Sequence, residues 1–136
     1  MEMVRAAYRE AGLAADVEPF LYDMGRHLRQ ADVVVCRAGA TMLAEITAAG
    51  KAAAILIPLP TATDDHQRKN AEALAANGAA EVVLQRDLTG AVLADRVVAL
   101  ANDHERRARM SAAARTLARP DAATVIVDRA LELIAR

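Results

Sequence analysis

The sequence predicts an α/β fold in which parallel strands form one sheet with helices on both faces. Short apolar runs, such as VVVC and AAILI, alternate with helical stretches of about 10–15 residues. The apolar runs carry no polar residue at alternate positions, as expected for strands that are buried on both faces. Gly, Pro, Thr and Asp separate the runs at positions typical of helix ends.

Helix-start and helix-end signals define the elements. Side-chain oxygens of Thr and Asp can accept a hydrogen bond from the first helical turn, and glycine ends helices in a left-handed conformation. We expect caps at Asp23, Thr41, Asp64 or Asp65, Thr89, Asp103 and Asp121. We expect helix ends at Gly12, Gly50, Gly78 and, because proline lacks an N–H, Pro120.

These signals give eleven elements in chain order. Three of the strands are β-branched or aliphatic runs, and the segment Ala14–Phe20 can hold a further short strand that ends at Pro19. The predicted strands are Ala14–Phe20, Ala31–Cys36, Ala53–Ile57 and Ala80–Leu84. The predicted helices are Val4–Glu10, Asp23–Gln30, Thr41–Ala49, His66–Ala76, Thr89–Ala101, Asp103–Ala118 and Asp121–Arg136.

Composition excludes several classes of protein. The 136 residues suffice for one domain, and 17 basic against 18 acidic residues argue against a nucleic-acid module that binds phosphates. Tyr8, Phe20 and Tyr22 are too few aromatics for a base-stacking platform. A single cysteine, Cys36, excludes a disulfide scaffold and a multi-cysteine zinc site. No metal site or cofactor is expected.

The sequence also bears on location. The amino terminus, MEMVRAAYREAG, is charged throughout and unlike a secretory signal. The longest run without charge, Ala52–Thr63, contains Pro58 and Pro60 and is too short to cross a bilayer. We therefore expect a cytoplasmic chain, and peripheral contact with a membrane stays open.

Two loops occupy the place where open parallel sheets bind ligands, beyond the carboxyl ends of the strands. They are Arg37–Thr41 and Leu59–Gln67, and each leads into a helix. A helix amino terminus presents unpaired N–H groups and the positive end of the helix dipole, which suit a phosphate.

Four residues in and beside these loops are candidates for ligand contacts, each with a plainer interpretation. Gly39 lets a ligand approach the backbone, or simply makes a tight turn. Glu45 can accept hydrogen bonds from a ribose diol, or is a surface residue favoured by the helix dipole. His66 and Gln67 can hydrogen-bond sugar hydroxyls, or are solvated residues of a first helical turn.

Three segments carry a resemblance to a known family. ADVVVCRAGATMLAEITAAGKAAAILIPLP is followed by TDDHQRKNAEALAANGAA and preceded by EPFLYDM, in the order and spacing of that family. The chain resembles the carboxyl-terminal part of the MurG-type UDP-N-acetylglucosamine:undecaprenyl-diphospho-muramoylpentapeptide N-acetylglucosaminyltransferases of peptidoglycan synthesis. The resemblance covers nearly the whole chain.

The resemblance implies a GT-B architecture of two Rossmann-like domains, of which this chain supplies the UDP-sugar donor domain. It places Leu21 at the uracil and Glu45 at the ribose hydroxyls. It places the loop formed by Arg37, Ala38, Gly39, Ala40 and Thr41 at the diphosphate. His66 and Gln67 would contact the N-acetylglucosamine, although relatives often carry Gln where His66 stands. Inversion at the anomeric carbon without a metal bound by a DxD motif is also implied.

The resemblance further implies an incomplete domain. The lipid-linked acceptor would bind an amino-terminal domain, and the catalytic base would also lie outside residues 1–136, so we expect donor binding without transfer. Two central strands would be lacking. The Val17 segment would then pair with Ala31–Cys36 or stay loosely attached. The exposed edge of Ala31–Cys36 would favour self-association. In the intact family the enzyme lies on the inner face of the plasma membrane.

Three other functions remain open at this stage. The chain could be the donor domain of another UDP-sugar glycolipid transferase, although the DDHQ segment favours the MurG-type family. It could be a non-catalytic nucleotide-binding module, or a truncated product without a function of its own.

Overall fold

A computed structural model describes residues 1–51 and 53–135. Ala52, which begins the uncharged run that ends at Thr63, and Arg136, which ends the predicted last helix, lie outside the described residues. The helices are α1 Glu2–Glu10, α2 Met24–Gln30, α3 Ala40–Ala49, α4 His66–Ala76, α5 Gly90–Asn102, α6 His104–Leu117 and α7 Ala122–Ile134. The strands are β1 Val33–Cys36, β2 Ala53–Leu56 and β3 Ala80–Val82.

The described strands form one parallel sheet in the order β1-β2-β3. Val33 lies opposite Ala53 and Cys36 opposite Leu56 at the two ends of the first pair, while Ala54 lies opposite Ala80 in the second. Helices connect the strands and cover both faces of the sheet, so the predicted α/β class is confirmed.

The core consists of two layers, one on each face of the sheet. The layer formed with α2, α3 and α4 contains Leu28, Ala38, Leu43, Ile46, Ala54, Leu56, Ala71 and Ala80. The layer formed with α5 and α6 contains Ala53, Ile55, Ile57, Val83, Leu100 and Met110. Successive β2 residues enter opposite layers and are all buried. This two-sided burial explains why the AAILI run has no polar alternation.

Three of the expected caps form. The Asp23 carboxylate accepts a hydrogen bond from the Arg26 N–H at 2.9 Å, Thr89 Oγ1 accepts from Val92 at 3.1 Å, and Asp103 accepts from Arg106 at 2.8 Å. Each bond satisfies a donor that the helix itself leaves free.

The other expected caps are wrong. Helix α3 begins at Ala40 because Gly39 takes the extended backbone of an N-cap, which leaves Thr41 inside the helix. Asp65 occupies the N-cap position of α4, but its backbone is left-handed and its side chain lies 3.9 Å from Arg68 instead. Asp121 precedes α7 without capping it through its side chain.

The predicted strand Ala14–Phe20 is also wrong. These residues are irregular and mostly exposed, and a hydrogen bond from Arg5 Nη2 to the Val17 carbonyl, at 2.8 Å, ties them to α1. A strand forms only where a neighbour satisfies its backbone groups. Within the described residues β1 pairs with β2 alone, so the loosely attached alternative holds.

The two terminal helices have no buried residue. Apolar side chains that are more than a third exposed include Val4 and Tyr8 of α1, and Val125, Ile126, Leu131 and Ile134 of α7. Among the described helices, none has both the length and the apolar character needed to span a bilayer.

Gly50 offers a test of how α3 is joined to α6. Its φ is +56°, and a Cβ built there would overlap Arg115 Cγ and lie 2.9 Å from Arg115 Cδ. Arg115 donates a hydrogen bond to the Gly50 carbonyl. Gly50→Ala therefore imposes left-handed strain and also displaces this bond.

The control is Gly78→Ala, because Gly78 has φ +71° and open space around its Cβ position. We expect Gly78→Ala to lower the free energy of unfolding by about 1 kcal/mol. Gly50→Ala should lower it by about 1 kcal/mol more. Urea denaturation measures both, and equal losses would contradict a structural role for the Arg115 contact.

Candidate functional site

The candidate site lies where β1 and β2 end. Because Cys36 and Leu56 are neighbours in the parallel register, the chain leaves both strands at the same edge of the sheet. The loop Arg37–Gly39 then leads into α3, and residues 57–65 lead into α4. The two predicted ligand loops are therefore side by side.

Arg37 links these two loops. Its Nη1 donates to the Ile57 carbonyl at 3.2 Å and lies 3.4 Å from the Pro58 carbonyl. The sequence predicts Arg37 as a ligand contact, and what the structure shows is that its side chain connects the two loops. The remaining N–H groups of its guanidinium stay available, since arginine has five.

Asn70 provides a second link that the sequence reasoning missed. Its Nδ2 donates to the carbonyl of Ala38, a fully buried residue, at 3.4 Å. Asn70 is half-buried on α4, one turn after His66. The available signal in the sequence was a polar residue on the apolar side of a helix. Its hydrogen-bond partner, the Ala38 carbonyl, is identified only by the fold.

The amino terminus of α3 is open. Its first backbone bond runs from the Leu43 N–H to the Gly39 carbonyl at 3.1 Å, and no side chain caps this end of the helix. The N–H groups of Ala40, Thr41 and Met42 therefore point out of the helix end. Apart from Gly39 itself and its two neighbours in the chain, no described heavy atom lies within 4 Å of the position of a Cβ on Gly39, so an anion can approach this backbone.

Glu45 lies on the same side of α3 as Thr41, since residues four apart are neighbours on a helix. Its side chain is exposed. The arrangement places a carboxylate one turn beyond the uncapped start of the helix. A ligand with a phosphate and a nearby diol matches that pair of groups.

Gln67 has a defined orientation. Its Oε1 accepts a hydrogen bond from the Leu59 N–H at 3.1 Å, which identifies the oxygen, and the NH₂ group has no hydrogen-bond acceptor among the described residues. The bond also holds the start of the residue 57–65 loop against α4. Gln67 is therefore suited to donate to an oxygen of a ligand.

His66 has a defined tautomer in its neutral form. Its Nδ1 lies 2.6 Å from the Thr63 carbonyl, which can only accept, so Nδ1 carries the hydrogen. Nε2 is then an acceptor on an exposed side chain. His66 and Gln67 thus offer one acceptor and one donor at adjacent positions.

The hydrogen bonds that connect the loops after β1 and β2 do not involve Leu21. It lies in the irregular segment before α2 and is 37% exposed, between Phe20 and Tyr22, whose rings meet edge to face at 5.2 Å. The predicted uracil contact therefore comes from a different part of the surface.

Cys36 ends β1 beside the site and is unsuited to nucleophilic chemistry. Burial raises the pKa of its thiol to about 11, so the thiolate is scarce at neutral pH. Among residues 1–51 and 53–135, His, Cys, Asp and Glu side chains form no group of three that could hold a metal.

Comparisons with known proteins show what the chain is similar to. The model of the glycosyltransferase family 28 C-terminal domain matches residues 1–126. The chain is 48% identical to the UDP-N-acetylglucosamine–N-acetylmuramyl-(pentapeptide) pyrophosphoryl-undecaprenol N-acetylglucosamine transferase of Trichlorobacter lovleyi, over 97% of this chain and 34% of that protein. It is 53% identical to the Geobacter metallireducens protein of the same name, over 94% of the chain and 35% of that protein.

A solved structure gives the same picture. The crystal structure of Acinetobacter baumannii MurG superimposes with a TM-score of 0.84 at 39% identity, covering 93% of this chain and 37% of that one. The resemblance identified in the sequence is confirmed. The chain spans about a third of the length of the relatives it matches.

The turn before α4 can be tested by substitution. Asp64 and Asp65 both have left-handed backbones, with φ of 52° and 55°. Asn and Asp tolerate this region, whereas β-branched residues do not. We expect Asp64→Val to lower the free energy of unfolding by about 1–2 kcal/mol, measured by thermal denaturation.

The matched variant is Asp64→Asn, which should leave stability within about 0.5 kcal/mol of the parent chain. Equal effects of Val and Asn at this position would show that the turn does not impose the left-handed conformation.

Proposed function

The chain belongs to the glycosyltransferase family 28 C-terminal domain family, and from that premise we propose that it binds a UDP-sugar donor, UDP-N-acetylglucosamine. The observation that carries the proposal is the pair of braced loops at the carboxyl edge of β1 and β2. Together they present the uncapped start of α3 and the Glu45 carboxylate one turn further on. They also present the Gln67 NH₂ group as a donor and His66 Nε2 as an acceptor.

Each part of the donor has a matching group. The diphosphate would bind the N–H groups at the start of α3, with Arg37, Ala38 and Gly39 forming the loop beneath it. Glu45 would accept hydrogen bonds from the ribose hydroxyls. His66 Nε2 would accept from a hydroxyl of the N-acetylglucosamine, and the Gln67 amide would donate to one of its oxygens. Backbone near Leu21 would meet the uracil.

We propose further that residues 1–136 form a donor-binding part of a larger enzyme. The relatives are named as transferases that act on an undecaprenol-linked acceptor, and this chain spans about a third of their length. The acceptor site and the catalytic base would lie in a second domain, so this chain by itself would bind donor without transferring sugar. We propose as well that the complete enzyme works at the inner face of the plasma membrane as a peripheral protein, and the undecaprenol-linked acceptor in the relatives' name supports a membrane location.

Glu45→Ala tests the ribose contact. Loss of a charge-assisted hydrogen bond removes about 1.5–3 kcal/mol, so the Kd for UDP should rise about ten- to hundredfold in calorimetry. Glu105→Ala, which removes the same charge from an exposed position of α6, is the control. Equal Kd values for the parent chain and Glu45→Ala would remove Glu45 from the site.

Gln67→Glu tests the sugar contact. The substitution keeps the oxygen that accepts from Leu59 and removes the NH₂ donor. We expect the preference for UDP-N-acetylglucosamine over UDP, expressed as a ratio of Kd values, to fall about tenfold. The ratio cancels effects on the uracil and the ribose, which both ligands share. Gln30→Glu on α2 is the control, and an unchanged ratio in Gln67→Glu would contradict the assignment.

We also propose that the free edge of β1 pairs with a second copy when the chain is isolated. The Asp32 and Cys36 carbonyls face β2, since they accept from Ala53 and Ile57 at 3.0 and 2.8 Å. The backbone groups of Val33 and Val35 therefore face the edge that no described strand covers.

Val35→Pro removes the outward N–H while leaving the β1–β2 bonds, so sedimentation equilibrium should show dimers for the parent chain and monomers for the variant. Val35→Thr, which keeps the N–H, should dimerise like the parent. A parent chain that stays monomeric throughout the concentration range would contradict edge pairing.

A further inference from the structure

A second concavity lies on the other side of the loop that leads into α4. Its volume is about 350 Å³, and it opens between this loop and the residues that follow β3. Pro58, Pro60 and Leu84 supply apolar walls, and Asp65, Arg68 and Arg86 supply charged ones. The volume falls at the lower end of the range found for ligand sites in proteins.

The charged groups of this cavity differ in how far they are already paired. Arg68 Nε donates to Glu72 at 2.7 Å, and its Nη1 lies 3.9 Å from Asp65. Arg86 Nε lies 3.6 Å from Asp87, and the Nη groups of Arg86 make no hydrogen bond among the described residues. Arg86, whose side chain is 75% exposed, thus brings a guanidinium with free donors to the rim of a cavity whose walls are partly apolar.

Such a wall suits a carboxylate next to small apolar groups. Two parallel N–H groups of a guanidinium match the two oxygens of a carboxylate, and the apolar walls suit the carbon atoms beside it. A diphosphate matches less well, because the Asp65 carboxylate would repel its higher charge and the apolar walls would desolvate it.

We propose that this cavity binds the carboxylate end of a peptide, and specifically of the peptide carried by the acceptor. The proposal rests on the proposed function. The relatives are named for an N-acetylmuramyl-(pentapeptide) acceptor. The muramyl group has a carboxyl group that joins the amino end of a peptide, so the other end keeps a free carboxylate.

The position of the cavity agrees with this role. Its walls include Pro58, Pro60 and Asp65, which belong to the same loop that leads to His66 and Gln67. One face of this loop meets the donor sugar in the proposed function, and the other face borders the cavity. An acceptor that reaches the sugar would therefore have a site within reach for its peptide.

The test uses the full 136-residue chain and a small probe, N-acetyl-alanyl-alanine, compared with its carboxamide. In ¹H–¹⁵N NMR titrations we expect the carboxylate form to shift the amides of residues 84–86 and 61–68, with the carboxamide binding at least tenfold more weakly. Arg86→Ala should raise the Kd of the carboxylate form about tenfold. Arg129→Ala, which removes an exposed arginine from α7, should leave it unchanged.

Equal binding of the two probe forms, or an unchanged Kd in Arg86→Ala, would overturn the proposal. So would inorganic diphosphate binding the same residues more tightly than the peptide, since the cavity would then be a general anion site. UDP titrations of Arg86→Ala keep the two proposals apart. If Arg86→Ala binds UDP like the parent chain but no longer binds the peptide, the result supports the peptide site. If the parent chain binds UDP but does not distinguish the carboxylate probe from the carboxamide, only the cavity proposal fails.

Discussion

The parallel pairing of β1 with β2 determines where the candidate ligand contacts lie. With Cys36 opposite Leu56, both strands deliver their loops to one edge of the sheet, and the Arg37 guanidinium joins those loops through the Ile57 carbonyl. Asn70 adds a bond to Ala38, and Gln67 adds one to Leu59. These bonds hold polar groups from separate parts of the sequence in one arrangement before any ligand arrives, which lowers the entropy lost on binding.

The site is defined as much by the groups left free as by those already bonded. The start of α3 has no side-chain cap, so its N–H groups remain available to an oxyanion. The Gln67 oxygen accepts a hydrogen bond within the protein, and its NH₂ group remains available to donate. His66 Nδ1–H donates within the protein, and Nε2 remains available to accept. The donor or acceptor character of the free groups is thus assigned at three positions, and a nucleotide sugar has phosphate oxygens that accept hydrogen bonds and hydroxyl groups that donate or accept them.

Much of this arrangement could be predicted from the sequence. The apolar runs gave all three strands, and the Asp23, Thr89 and Asp103 caps follow from local side-chain chemistry. The strand at Ala14–Phe20 could not be judged locally, because a strand depends on a neighbour that the segment itself does not encode. Nor do local patterns reveal distant polar partners. Glu81 of β3 pairs with Arg96 of α5 and Arg106 of α6, at 3.2 and 2.8 Å. The Arg37 brace likewise joins residues twenty positions apart.

The central claim is that a nucleotide sugar binds across the two loops that Arg37 joins. Mapping backbone amide shifts by NMR while titrating UDP-N-acetylglucosamine into the 136-residue chain tests this most directly. We expect the largest shifts at Gly39, Ala40 and Thr41, a second group at His66 and Gln67, and small changes on α5 and α6. Shifts concentrated elsewhere on the chain, or none at saturating ligand, would contradict it.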